Sequence, residues 1–181
     1  MGAPAASSGD SAAAHVAFAP AEGAASADIR ALLEYWNQLR GERAMPNRAD
    51  IALAAIKKFL RHVHLYEVID GGRDFRNRVM GTDVFIGKGT DSTGKLLSEE
   101  TCEGARTRLG LPLRRVVDTG VPLRALTQRP GKNEYHVFDI ESIWLPLGAP
   151  GSVDQVLAMT IYTPRSLMVP QARTTAFQPN V

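Results

Sequence analysis

Gly89, four residues, then Gly94 and Lys95 reproduce most of the phosphate-binding loop G-x-x-x-x-G-K-[ST]. Such a loop wraps phosphates in backbone N–H groups, while its Lys reaches their outer oxygens and its Ser or Thr holds magnesium. Here Leu96 follows Lys95, and leucine binds no metal. The loop should also join a buried parallel strand to a helix. What precedes it, Val84-Phe85-Ile86, is short and broken by Gly87. A turn explains the same residues better. Gly87, Gly89 and Gly94 relax the backbone, and Asp91 and Ser92 can bond to nearby N–H groups.

The other reactive side chains make no catalytic set. His62, His64 and His136 fall on predicted strands, with His62 and His64 on one face. An imidazole in an apolar cavity can hold haem iron, but a lone strand histidine is more often hydrogen-bonded or solvated, which argues against haem. Two histidines at i and i+2, without further spaced ligands, make no zinc site. His136 and Asp139 point to opposite faces of one strand, so neither serves the other as a base. No G-x-S-x-G or H-E-x-x-H occurs. The chain reads as a non-enzyme with no metal site.

Composition narrows the class. A length of 181 residues suits one well-packed domain. A net charge of +2 argues against a nucleic-acid partner, and no recognition helix is evident. One cysteine, Cys102, excludes a disulfide framework and fits a reduced, cytoplasmic setting as an inert side chain. No apolar run reaches the roughly 20 residues of a membrane span, and no signal peptide is visible. Arg106, Arg108, Arg114, Arg115, Arg124 and Arg129 form a basic set. It reads as a solvated face or, if gathered on one side, as a patch for an acidic partner or anionic ligand.

Residues 1–27 are rich in Ala, Gly and Ser, and they read as a tail that buries too little to order itself. Residues 164–181, broken by three prolines, read similarly, which leaves 28–163 as the domain. Ile29, Leu32, Leu33, Trp36 and Leu39 form one helical stripe, capped by Asp28 and ended by Gly41. That stripe could pack on the domain or pair with its copy in a homodimer. The expectation here is the homodimer. A turn then leads to a short helix at 51–56.

Strands are predicted at 62–69 and 74–80 around Asp70-Gly-Gly72, and at 121–128, 136–147 and 154–163. A helix is predicted from Leu111, with Pro112 in its first turn and Gly120 as its stop. Successive strands across short turns predict an α+β fold, an antiparallel sheet with helices on one face. On 136–147, His136, Phe138, Ile140, Ser142 and Trp144 share a face opposite the carboxylates of Asp139 and Glu141. That face is taken as the inner one. Leu157, Met159 and Ile161 are the more apolar set on the last strand. Together these eight are the ligand-pocket candidates, with a filled core as the alternative.

The run Phe75-Arg-Asn-Arg-Val-Met-Gly-Thr-Asp-Val84, followed by Gly89-Thr-Asp-Ser-Thr-Gly-Lys-Leu-Leu97, resembles a PAS domain and its G-x-D-x-[ST]-G-[KR]-x-L turn. Leu33-Glu-Tyr-Trp36, Met45-Pro-Asn-Arg-Ala-Asp-Ile51, Val116-Val-Asp-Thr-Gly-Val-Pro122 and Trp144-Leu-Pro-Leu147 are similar to a single-domain PAS-like family common in alphaproteobacteria. The resemblance implies a five-stranded sheet around a small cavity. It also implies a stand-alone sensory role: binding a small ligand or a signalling protein partner and relaying a change in shape or association. Flavin photosensors of this kind carry their cysteine in Asn-Cys-Arg-Phe-Leu-Gln. Thr101-Cys-Glu-Gly-Ala-Arg106 departs from that, which argues against flavin, so any cofactor stays unnamed. A ligand-free protein adaptor and a small enzyme on the same fold are the two alternatives.

Overall fold

The computed structural model describes residues 16–88, 91–130 and 136–166. Its elements are β1 (Ala17–Ala19), α1 (Ala27–Arg40), β2 (Val63–Ile69), β3 (Asp74–Met80), α2 (Thr82–Lys88), α3 (Glu103–Thr119), β4 (Leu123–Pro130), β5 (His136–Ala149) and β6 (Ser152–Ser166). Six antiparallel strands pair in the order β1-β4-β5-β6-β2-β3. Five are the predicted strands. The sixth, β1, comes from the stretch read as tail. It pairs Ala17 with Leu126 and Ala19 with Arg124, and Ala21 and Ala24 after it are buried.

Both faces of the sheet are covered. The outer face carries Val63, Leu65, Ile143, Leu145, Leu157 and Met159, and α1 lies on it with Ile29, Leu32, Leu33 and Trp36 at most 6% exposed. The indole N–H of Trp36 donates to the Pro146 carbonyl at 2.9 Å. The stripe is therefore spent within the domain, and the expected dimer helix is corrected: Ile29, Leu32, Leu33 and Trp36 are buried, and Leu39 packs partly buried beside them.

Ser26, not Asp28, caps α1, accepting the Ile29 N–H at 3.5 Å. The Glu141 carboxylate lies beneath this start. It accepts the N–H groups of Ala25 and Ser26 at 2.8 and 2.9 Å and pairs with Arg124 at 2.7 Å.

The inner face carries Tyr66, Phe75, Trp144, Val156 and Ala158 beneath α3. This helix starts eight residues before the predicted Leu111, with Pro112 in its interior. An interior proline forfeits a hydrogen bond to the carbonyl four residues back and costs about 3 kcal/mol. Ala105, Leu113 and Val116, buried on the sheet side, offset that cost. Gly120, in the left-handed conformation, ends the helix. The predicted helix at 51–56 is absent; turns and 3₁₀ segments at Arg48–Asp50 and Lys57–His62 take its place. After β3 the backbone passes hard against the second of these. A Cβ at Gly81 would stand 2.4 Å from the Leu60 and Arg61 carbonyl oxygens, so only glycine fits.

Candidate functional site

Three polar side chains lie buried in the middle of the inner face. His64 is 3% exposed; its Nδ1 lies 3.2 Å from the Tyr66 hydroxyl and its Nε2 3.2 Å from Thr160 Oγ1. Period-two alternation along β2 sends His64 and Tyr66 to one face, and the His64–Ala158 register brings β6 alongside. The rings of His64, Tyr66 and Trp144 follow one another, stacked or tilted, with centroids 5.7 to 6.4 Å apart. Burial, with Tyr162 and Glu100 nearby, pushes the Tyr66 phenol far above its usual range, so it stays a protonated donor.

Beside this group a cavity of about 280 Å³ lies between the sheet, α2 and the first turns of α3. Met80, Val84, Ala105, Leu109 and Ile140 are its apolar walls; His64, Tyr66 and Tyr162 contribute rings. Glu100, Thr101, Cys102 and Arg108 form its polar side. Its size is just below the roughly 300–1,000 Å³ of typical ligand sites, which suits a small molecule.

The predicted pocket residues divide. Ile140 lines the cavity. Ser142 and Trp144 share its face but are occupied with each other, the indole N–H donating to Ser142 Oγ at 2.9 Å. Phe138 meets Tyr162 edge-on at 6.4 Å. The His136 side chain lies outside the described residues.

Leu157, Met159 and Ile161 are a correction. Their partners Leu145, Ile143 and Glu141 put them on the outer face under α1, while Ala158, Thr160 and Tyr162 face inward. The sequence reading did not place Tyr66, Ala105 or His64 at the pocket; it weighed His64 as a haem or zinc ligand and favoured a hydrogen-bonded or solvated histidine.

The glycine-rich stretch beyond α2 is a turn docked on β3. Asn77 donates its backbone N–H to the Lys95 carbonyl at 3.0 Å and accepts from Gly94 N–H at 2.7 Å. Its side-chain amide donates to Ser92 Oγ at 2.9 Å, and Asp91 accepts the Thr93 N–H at 2.8 Å. Lys95 N–H is also used, donating to the Ser92 carbonyl at 3.0 Å. The N–H groups of Thr93, Gly94 and Lys95 are thus committed internally, which leaves them unavailable to a phosphate. Gly89 and Thr90 lie outside the described residues.

A family of PAS domains matches residues 24–161. The chain belongs to that family. No curated protein and no solved structure matches it. PAS domains are typically non-catalytic sensory modules, and among the described residues no group of three His, Cys, Asp or Glu side chains could hold a metal. No helix among them is long and apolar enough to cross a membrane.

On this PAS scaffold the basic set is scattered, contrary to a single patch. Arg124 is committed to Glu141 on the outer face. Arg114 donates to the Gly72 and Arg73 carbonyls, Arg115 lies over Phe18, and Arg106 donates to the Glu100 carbonyl. Only Arg108 faces the cavity; the Arg129 side chain lies outside the described residues. His62 precedes β2 rather than sharing a face with His64, and its Nδ1 stands 3.2 Å from Asp83. Both His64 nitrogens are engaged, so iron ligation would first have to break one of those contacts.

Proposed function

We propose that this PAS domain senses a small molecule held in the cavity between the inner sheet face and α2 and α3. Occupancy is then relayed to a signalling protein partner. The observation that carries this reading is the buried His64–Tyr66–Thr160 group beside that cavity. These three side chains can be buried because they hydrogen-bond to one another, whereas apolar residues would fill a purely packed core without that requirement. Ionisable groups on the cavity's polar side add recognition chemistry that an adaptor with a filled core would not need.

The relay route begins at β3, whose Asn77 faces inward with Tyr66 as its cross-strand neighbour. The same residue holds the turn at 91–95 through two backbone bonds and one side-chain bond. A ligand that shifts Tyr66 would press on the strand that anchors this turn.

Native mass spectrometry of freshly purified protein, with an absorption spectrum of the same sample, tests the proposal. A discrete added mass that is lost in Ala105→Leu supports it. Leu at 105 extends into the cavity, and filling it should leave the fold as stable or raise stability by about 0.5–2 kcal/mol. A bare polypeptide mass, combined with failure of every small molecule to stabilise the protein, would leave the adaptor.

A further inference from the structure

Arg108 is half-buried at the cavity, and among the described residues its guanidinium makes no hydrogen bond or ion pair. Every other arginine of the basic set whose side chain is described is occupied by a carboxylate, a carbonyl or a ring. Arg108 lies back along α3, with Nη1 3.2 Å from where a Gly104 Cβ would be. This sets its charge beside the helix's first turn, where N–H groups already favour an anion. A guanidinium drawn out of water without a counter-charge is poorly solvated, and a carboxylate satisfies its planar donor fork.

The other charge on the cavity wall is Glu100. Its Oε1 accepts the Cys102 N–H at 3.3 Å, which holds it at the beginning of α3. A second anionic group on the ligand would meet this carboxylate. The remaining walls are chiefly Met80, Val84, Ala105, Leu109 and Ile140 with the rings of His64, Tyr66 and Tyr162, a largely apolar and aromatic surface for the ligand's body.

We propose that the cavity selects a small monocarboxylate with an apolar body, held by its carboxylate on Arg108, and rejects dicarboxylates through Glu100. This rests on the ligand-sensor reading and gives it a chemical class.

The test uses three probes of equal carbon number on the full chain: hexanoate, its neutral counterpart hexanamide, and the dicarboxylate adipate. Binding is followed by calorimetry and by the shift in melting temperature. Hexanoate is expected to bind at least tenfold more tightly than either of the others and to weaken as salt is raised. Arg108→Gln should lose the preference for hexanoate over hexanamide. Glu100→Gln should admit adipate, and circular dichroism of both variants checks that the fold is kept. Hexanamide binding as tightly as hexanoate, or Arg108→Gln retaining the preference, overturns the monocarboxylate assignment and leaves a sensor of neutral ligands. No binding of any of the three overturns the assignment and weighs against the cavity as a ligand site as well.

Discussion

At the scale of single residues, the hydroxyl of Tyr66 and the carboxylate of Glu141 do opposite jobs. Tyr66 supplies the partner of a buried imidazole nitrogen. Tyr66→Phe keeps the ring stack but leaves His64 Nδ1 without that partner, which should cost about 1–3 kcal/mol in urea unfolding. Glu141 instead joins a helix start to a strand. Burial opposes its ionisation, but the Ala25 and Ser26 N–H groups and Arg124 outweigh burial and hold its pKa below the ordinary 4.5. A depressed carboxylate pKa stabilises the fold above the unfolded value, and that contribution fades as pH falls through the folded one. The urea midpoint should therefore drop below about pH 4.5, and Glu141→Gln should remove part of that acid dependence. At pH 7 the variant should already be weaker by about 3 kcal/mol, since Arg124 loses its partner. Glu141 entered the sequence argument only as a marker of the solvent side. Glu141 and the chain start it holds lie more than a hundred residues apart, a distance no local pattern spans.

At the scale of elements, α1 explains both what was legible and what was not. The stripe from Ile29 to Leu39 announced a helix with one apolar side, but an apolar side does not name its cover. Because α1 covers the outer sheet face, β6 is buried on both sides, with Val156 and Ala158 inward and Leu157 and Met159 outward. Alternation carries no contrast in such a strand, and the larger residues sit on the α1 side. On β5 the carboxylates Asp139 and Glu141 restored the contrast, and Ile140 fell on the correct side. Pro112 hid the first half of α3, and with it Ala105 and Leu109 of the cavity. Trp36→Ala should cost about 3–5 kcal/mol of stability, as core aromatic truncations do. The same variant should leave the oligomeric state of the folded fraction unchanged in light scattering. A dimer that dissociates with the fold intact would return the stripe to an interface.

At the scale of the whole molecule, the family match begins at residue 24, whereas the sheet begins at Ala17. β1 therefore extends the PAS core and covers the open edge of β4. Removing residues 1–24 should expose that edge and the ground beneath Ala21 and Ala24, giving a lower melting temperature and a growing aggregate fraction in gel filtration. The same view bears on charge. Among the described residues of the basic set, Arg124 lies on the outer face, Arg108 at the cavity and Arg114 and Arg115 on α3, so their charges do not gather on one face.

The placement of α1 also sets terms for any protein that would bind the outer sheet face. A visitor to Ile143, Leu145 and Met159 competes with a segment of the same chain, tethered by residues 41–62. Short tethers hold their cargo at an effective concentration on the order of millimolar, and here the tethered helix also brings its own buried tryptophan. A weak visitor would lose that contest by mass action alone. Only a partner that first loosens the Glu141 clasp, or one strong enough to outcompete a resident helix, would reach that face.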